Sequence, residues 1–378
     1  MSRAPQPGRP RGSPAVDGTR GSSDSPSGRQ PVWSRTALSW RSWRAKTRAS
    51  RGGSCSAGGR PRPDVRVLLT HTAVLLDRPG GSERVVWHLA RGLRARGHDV
   101  RVVARALGSS RPGWITGGGV EIFRYPDRLH SGATLYLLSI VLAARAIRAV
   151  TRGWVPDVVH AHHSISALGG VLGAARAFCY TFYGPWHLEF LEDTKDPGAA
   201  RGWKGRTRWA WRPAKAQLAR GLERLAVRRS RRIVVLSEYS RRQVQVIHAV
   251  PPDRVRLIPG GVDIRHFVPP SNRRELRARL GLPEARPVLF TVRRLVRRMG
   301  LDRLTRESGV ADVLRSLEPS WLADDASPGR LASTIARALR ALDDQVETAE
   351  RCRAHAERYA WERLVPEYET LYAEARGQ

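Results

Sequence analysis

Apolar residues recur along this chain in two alternating rhythms. Short continuous runs of β-branched and apolar residues, bounded by turn residues, read as buried parallel strands. Between them, apolar positions recur at spacings of three and four, the signature of a helix with one buried face. The first run covers 64–70. A loop follows, ending in Pro79-Gly80-Gly81-Ser82-Glu83, after which Val85, Val86, Leu89, Ala90 and Leu93 fall on one helical stripe. Ser82 is the predicted N-cap, and Glu83 suits the positive end of the helix in the first turn. Gly97-His98-Asp99 closes the helix and 100–103 is the next strand, which completes a βαβ unit.

The alternation continues with strands predicted at 120–123, 156–161, 179–182, 232–236 and 255–258. Helices are predicted over 133–151, 164–177, 213–229 and 239–249. This regular order predicts an α/β fold with a doubly wound, Rossmann-like sheet over 64–268. A helix at 272–280 and a strand at 287–292 then read as the opening of a second such domain, 269–378. There the rhythm changes. The stretches 309–317, 328–343, 344–358 and 361–375 all read as helices, and no further strand is predicted. A βα repeat takes roughly 25–30 residues, so the second sheet is expected to be incomplete.

Composition adds two points. The chain has 378 residues and a net charge of +32, and its first 63 residues hold thirteen Arg and Lys against Asp17 and Asp24. That segment is rich in Pro, Gly, Ser and Arg, has no apolar signal core, and is expected to be a disordered basic extension. No zinc-finger or RNA-binding motif accompanies the charge, so nucleic acid is not the expected partner. Three scattered cysteines, Cys55, Cys179 and Cys352, fit neither a disulfide framework nor a metal site and suit a reducing, cytoplasmic setting. The most apolar stretch, 133–144, is broken by Arg145 and is shorter than the roughly 20 residues of a spanning helix.

Several local patterns together resemble one family. They are Gly80-Gly81-Ser82-Glu83-Arg84, Pro156-Asp157-Val158-Val159-His160-Ala161-His162, Ser237-Glu238, and Ile258-Pro259-Gly260-Gly261-Val262-Asp263. Arg293-Arg294 with Arg297-Arg298-Met299-Gly300, and Trp361-Glu362-Arg363-Leu364, complete the set. In this order the chain resembles the retaining GT-B glycosyltransferases of family 4, the "glycosyl transferases group 1" type. The resemblance implies a two-domain fold and transfer of a sugar from a nucleoside-diphosphate sugar to an acceptor hydroxyl. No cofactor or essential metal is implied.

Residue roles follow from the same resemblance. Gly80, Gly81 and Ser82 would open a helix whose free N–H groups suit an anion. Arg294 and Arg298 would neutralise the leaving diphosphate, although the family commonly has Lys at the place of Met299. Tyr183 stands where the family commonly has the His near the transferring sugar, and His187 follows four residues on. His162, Ser237, Glu238, Gly260 and Gly261 are the remaining expected substrate-side positions, and 361–375 resembles the closing helix that crosses back to the first domain.

The chain departs from the family after Leu304. Leu304 runs directly into Thr305, and on the order of a hundred residues of the family, about four βα units, have no counterpart. They include the paired glutamates that hold the donor. Activity is therefore expected to be impaired. The alternative is a non-catalytic remnant that binds an acceptor, a membrane surface or a protein partner. Trp203, Trp209 and Trp211, interleaved with Lys204, Arg206, Arg208, Arg212 and Lys215, suit peripheral contact with an anionic membrane. A lipid-linked acceptor at its inner face is consistent with that.

Overall fold

The computed structural model describes residues 65–108, 110–126, 134–173, 177–193, 210–284, 286–289, 309–325, 327–341 and 345–377. The basic extension, Trp203 and Trp209 with the cations around them, Arg294, Arg298 and the Leu304–Thr305 junction lie outside the described residues.

The described elements are β1 (Arg66–Thr70), α1 (Gly81–Ala95), β2 (Asp99–Arg105), β3 (Gly113–Gly117), β4 (Val120–Tyr125), α2 (Thr134–Thr151), β5 (Val158–Ala161), α3 (Ser164–Gly173) and β6 (Ala177–Phe182). They continue as α4 (Trp186–Asp193), α5 (Arg212–Arg229), β7 (Arg232–Val235), α6 (Glu238–His248), β8 (Val255–Leu257) and α7 (Arg273–Arg279). The chain closes with α8 (Gly309–Leu317), α9 (Pro328–Ala341), α10 (Gln345–Glu357) and α11 (Trp361–Arg376).

One eight-stranded sheet organises the molecule, in the order β3-β4-β2-β1-β5-β6-β7-β8. All neighbours run parallel except β3, which pairs antiparallel with β4 at one edge. The order reverses between β1 and β5, where Val67 to Thr70 pair with Val158 to Ala161. That reversal opens a crevice beyond the carboxyl ends of the two strands, the place where open α/β sheets bind ligands. The central strands are buried on both faces. β6 has no exposed residue, as the continuous apolar runs require.

Helices cover both faces. α2, α3 and α5 pack side by side on one, and Gly170 of α3 lies against Val159 and Phe178 of the sheet. α1 and α11 pack together on the other, where Gly92 lets Val365 approach the α1 backbone closely. α11 is thus part of the first domain's core: Leu364, Val365, Tyr368, Leu371, Tyr372 and Ala375 are buried in one cluster with Val86, Leu89 and Leu93. Ion pairs border it, from Arg96 to Glu369 at 2.6 Å and from Arg232 to Glu374 at 3.0 Å, and His98 Nε2 shares a hydrogen bond with Glu369 at 2.8 Å.

The structure corrects two sequence expectations and adds elements that were not expected. Gly80, not Ser82, occupies the N-cap of α1, and it supplies no side-chain bond; Ser82 lies inside the helix and donates to the Glu83 carboxylate at 3.0 Å. The expected strand at 287–292 is not formed where it is described: 287–289 are irregular. The β3–β4 hairpin edge and the short helix α4 were not foreseen. Among the described residues beyond 268, every regular element is helical.

Candidate active site

β5 ends in His160-Ala161-His162, next to the end of β1 at Thr70-His71 and the end of β6 at Phe182-Tyr183. Alternation along β5 places His160 and His162 on the same side, with ring centroids 4.2 Å apart. His162 Nδ1 meets the Tyr183 hydroxyl at 2.9 Å, which brings together two of the residues singled out in the sequence. His160 is fixed from both ends, to Tyr372 of α11 at 2.8 Å and to Thr181 at 2.8 Å. The closing helix therefore supports the site through one hydroxyl.

Burial sets the charge state. Desolvation disfavours an imidazolium, so His160 and His163 are lowered to about 3, His71 to about 4, and His162 well below the ordinary value. The same burial, with Tyr368 and Glu83 nearby, raises the Tyr183 phenol well above 10. The pair therefore offers a neutral imidazole and a protonated phenol at any physiological pH. It can donate and accept hydrogen bonds to sugar hydroxyls. Tyr183 cannot serve as a group poised near neutrality.

The glycine turn is organised differently from expectation. The Glu83 carboxylate folds back over Gly80, so closely that a β-carbon there would clash with it. A carboxylate thus lies beside the positive end of α1, where the sequence pointed to an exogenous anion. Gly81 has open space where a side chain would be. Glu83 raises both Tyr183 and His71, which ties the turn to the site electrostatically.

The other expected positions make contacts of their own within the fold. Ser237 caps α6 through the Ser240 N–H at 3.1 Å, and the Glu238 N–H donates to the Asp312 carboxylate of α8 at 2.8 Å. Trp361 covers Gly261, where any side chain would collide with the indole, while Gly260 is open. His187 is buried on α4, beside Glu223 rather than with Tyr183.

Glu223 is a residue the sequence reading passed over. It is fully buried on α5 and accepts from Ser164 Oγ at 3.2 Å, the Tyr180 hydroxyl at 3.4 Å, the Trp186 N–H at 3.2 Å and His248 Nε2 at 3.2 Å. It thereby anchors the segments that follow His162 and Tyr183. The signal was present: Glu223 interrupts the apolar stripe of Ala216, Ala219, Ala226 and Val227 on an otherwise basic helix. Glu223→Ala would remove the acceptor that these four groups share and is expected to lower stability by about 3–5 kcal/mol, with Glu223→Gln milder. Urea unfolding midpoints of the two variants check this.

Residues 79–266 match the family model described as Glycosyltransferase Family 4. The D-inositol 3-phosphate glycosyltransferase of Xylanimonas cellulosilytica is 27% identical over 264 residues, which cover 65% of this chain and 59% of that protein. A GDP-mannose-dependent alpha-mannosyltransferase of Mycobacterium tuberculosis is 30% identical over 248 residues, 64% of this chain and 59% of that one. The chain thus spans 59% of the length of both relatives. The sucrose-phosphate synthase from Thermosynechococcus elongatus superposes with a TM-score of 0.61 at 14% identity, covering 82% of this chain and 98% of that one. That likeness bears on the fold alone. The segment 79–266 is thus similar to Glycosyltransferase Family 4, and the superposition is consistent with a GT-B-like fold.

Proposed function

We propose that the chain derives from an enzyme that moves a sugar from a nucleoside-diphosphate sugar to an acceptor hydroxyl with retention, and that its own turnover is severely impaired. The observation that carries this reading is the Tyr183–His162 hydrogen bond at 2.9 Å, beside the β1/β5 reversal and inside the segment that matches the family. A neutral, hydrogen-bonding pair at a sheet's carboxyl edge suits a polyhydroxylic ligand. The name of the mycobacterial relative, a GDP-mannose-dependent enzyme, supports a nucleotide-sugar donor.

In this proposal Gly81 and Tyr183 face acceptor and sugar, and Arg294 and Arg298 hold the diphosphate without an essential metal. The acceptor is lipid-linked, met at the inner face of a membrane. Impairment follows from the missing donor-side segment, for which the 59% coverage of both relatives is the support.

One observation favours the non-catalytic alternative. α8 places Asp312 on the Glu238 N–H at the start of α6, so a carboxylate already fills one anion-favouring position at the sheet's carboxyl edge.

The test is nucleoside-diphosphate release by the purified chain, given a panel of UDP- and GDP-sugars with lipid-phosphate and lipid-linked sugar acceptors in detergent, and with D-inositol 3-phosphate alongside. The expected rate is below about 0.01 s⁻¹, against roughly 1–1000 s⁻¹ for ordinary enzymes. Turnover within the ordinary range would refute the impairment, and a product of inverted configuration would refute retention. Resequencing codons 295–315 tests the junction itself.

A further inference from the structure

Three buried polar atoms at the carboxyl ends of β1 and β5 have no hydrogen-bond partner among the described residues: Thr70 Oγ1, His71 Nε2 and His162 Nε2. Their residues are at most 2% exposed. Thr70 and His162 are neighbours across the two strands, since the His162 N–H donates to the Thr70 carbonyl at 2.9 Å, and His71 follows Thr70 directly. The other nitrogen of each ring is engaged. His71 Nδ1 meets the Ala73 carbonyl and N–H at 2.9 and 3.0 Å, and His162 Nδ1 meets the Tyr183 hydroxyl at 2.9 Å. Buried polar groups are paired almost everywhere in folded proteins, so an orphaned cluster beside a ligand crevice marks where a ligand's own polar atoms go.

Charge and proton count decide what matches them. Each free ring nitrogen is one donor or one acceptor, according to the tautomer, and the threonine hydroxyl is both. A sugar or polyol hydroxyl also donates and accepts, so it satisfies either tautomer. An ionised phosphate oxygen only accepts, and its charge must be compensated if it is buried. Burial keeps both imidazoles neutral, so they give an anion no compensation. Two cations act on His71: Arg78, which is exposed, and Arg105, whose Nε donates to the Thr72 carbonyl at 3.3 Å. Against them stands Glu83, only 7% exposed, with its carboxylate folded over Gly80 and held by Ser82 Oγ at 3.0 Å. Its charge reaches both His71 and Tyr183. An anion entering here meets a carboxylate where a bare helix N-terminus would attract it.

We propose that this crevice takes an uncharged polyol end of the acceptor, and that Glu83 is the specificity-determining residue that keeps phosphate-bearing ends out. The proposal rests on the sugar-transfer reading and sharpens it. The reacting hydroxyl belongs to a neutral sugar ring, and a phosphate that links that sugar to a lipid stays outside the crevice. A lipid phosphate that offers its own oxygen is rejected, and so is D-inositol 3-phosphate.

The experiment is a ligand-observed NMR titration of the full chain, without donor. The probes are methyl α-D-mannoside, methyl α-D-glucoside and myo-inositol, each set against mannose 6-phosphate, glucose 6-phosphate or D-inositol 3-phosphate. At least one neutral probe should bind about tenfold or more tightly than its phosphorylated counterpart. Thr70→Val, which removes only the hydroxyl, should weaken the neutral probe about fivefold. Glu83→Gln, a residue equally suited to this helix position, should narrow the preference to about threefold or less. Thermal melts confirm that both variants are folded. Phosphorylated probes that bind the parent as tightly as neutral ones would overturn the proposal. So would a preference that Glu83→Gln leaves intact, neutral binding that Thr70→Val leaves intact, or no binding of any neutral probe. The titration uses no turnover. A product of inverted configuration would refute the transfer reading and leave this one standing, and a preference for phosphorylated probes would do the opposite.

Discussion

Lowering the pH from 7 to 5 is expected to remove most of this protein's stability, well above the range where carboxylates titrate. The cause lies in the histidines at the sheet's carboxyl edge. His71, at about 4, and His160 and His163, at about 3, are held neutral by burial. In the unfolded chain each returns to about 6.5. A histidine depressed in this way contributes its stability above the unfolded value. That stability is lost as the pH falls from about 6.5 toward the folded value, because the unfolded chain takes up the proton first. At pH 5 each contributes a loss of about 2 kcal/mol, or roughly 6 kcal/mol for the three. Whole domains have only about 5–15 kcal/mol. His162 moves in the same direction and adds to the loss. Urea melts at pH 7.5, 6 and 5 measure it. Stability that stays level across that range would show that the imidazoles are not held neutral by the fold.

Those histidines also show what was legible in the sequence and what was not. The motif from Pro156 to His162 announced a strand, and the alternation of strands and helices announced the sheet, because period and turn residues are local properties. His162 and Tyr183 could be named in advance from the family patterns in which they stand. Their hydrogen bond could not, because β5 and β6 are brought into register by pairing across the sheet. His71 ends the first strand equally plainly, yet only burial distinguishes it from a loop histidine. Ser237 and Gly261 were legible as special positions, and the structure adds a cap and a close approach: Ser237 caps α6, and Gly261 makes room for the Trp361 indole. The β3–β4 hairpin was missed because Gly113–Gly117 carries four intermediate-exposure residues and little apolar signal. The apolar run at 287–292 looked like a strand, but a strand needs neighbours, and 287–289, the described part of it, are irregular.

The closing helix makes the largest mutational prediction: Tyr368→Ala/Tyr372→Ala should leave the chain essentially unfolded at 25 °C. Both tyrosines are almost completely buried, between the sheet and α1. Truncating a buried aromatic costs about 3–5 kcal/mol. Losing Tyr372 also strands His160 Nδ1, whose partner it is at 2.8 Å, for about 1–3 kcal/mol more. The rings are 6.4 Å apart, so the effects need not add strictly. Even a partial sum of about 6 kcal/mol reaches the lower half of a domain's total stability. Glu369→Gln is the control, because its pair with the exposed Arg96 is screened by solvent, and the variant should melt close to the parent. Far-UV circular dichroism with urea titration separates the cases. A double variant that melts with the parent would mean α11 only rests on the domain. A collapse would show that residues near 370 complete a core begun at residue 66. It would also explain how the histidine site stays assembled, since Tyr372 holds His160 and the His160 and His162 rings lie 4.2 Å apart.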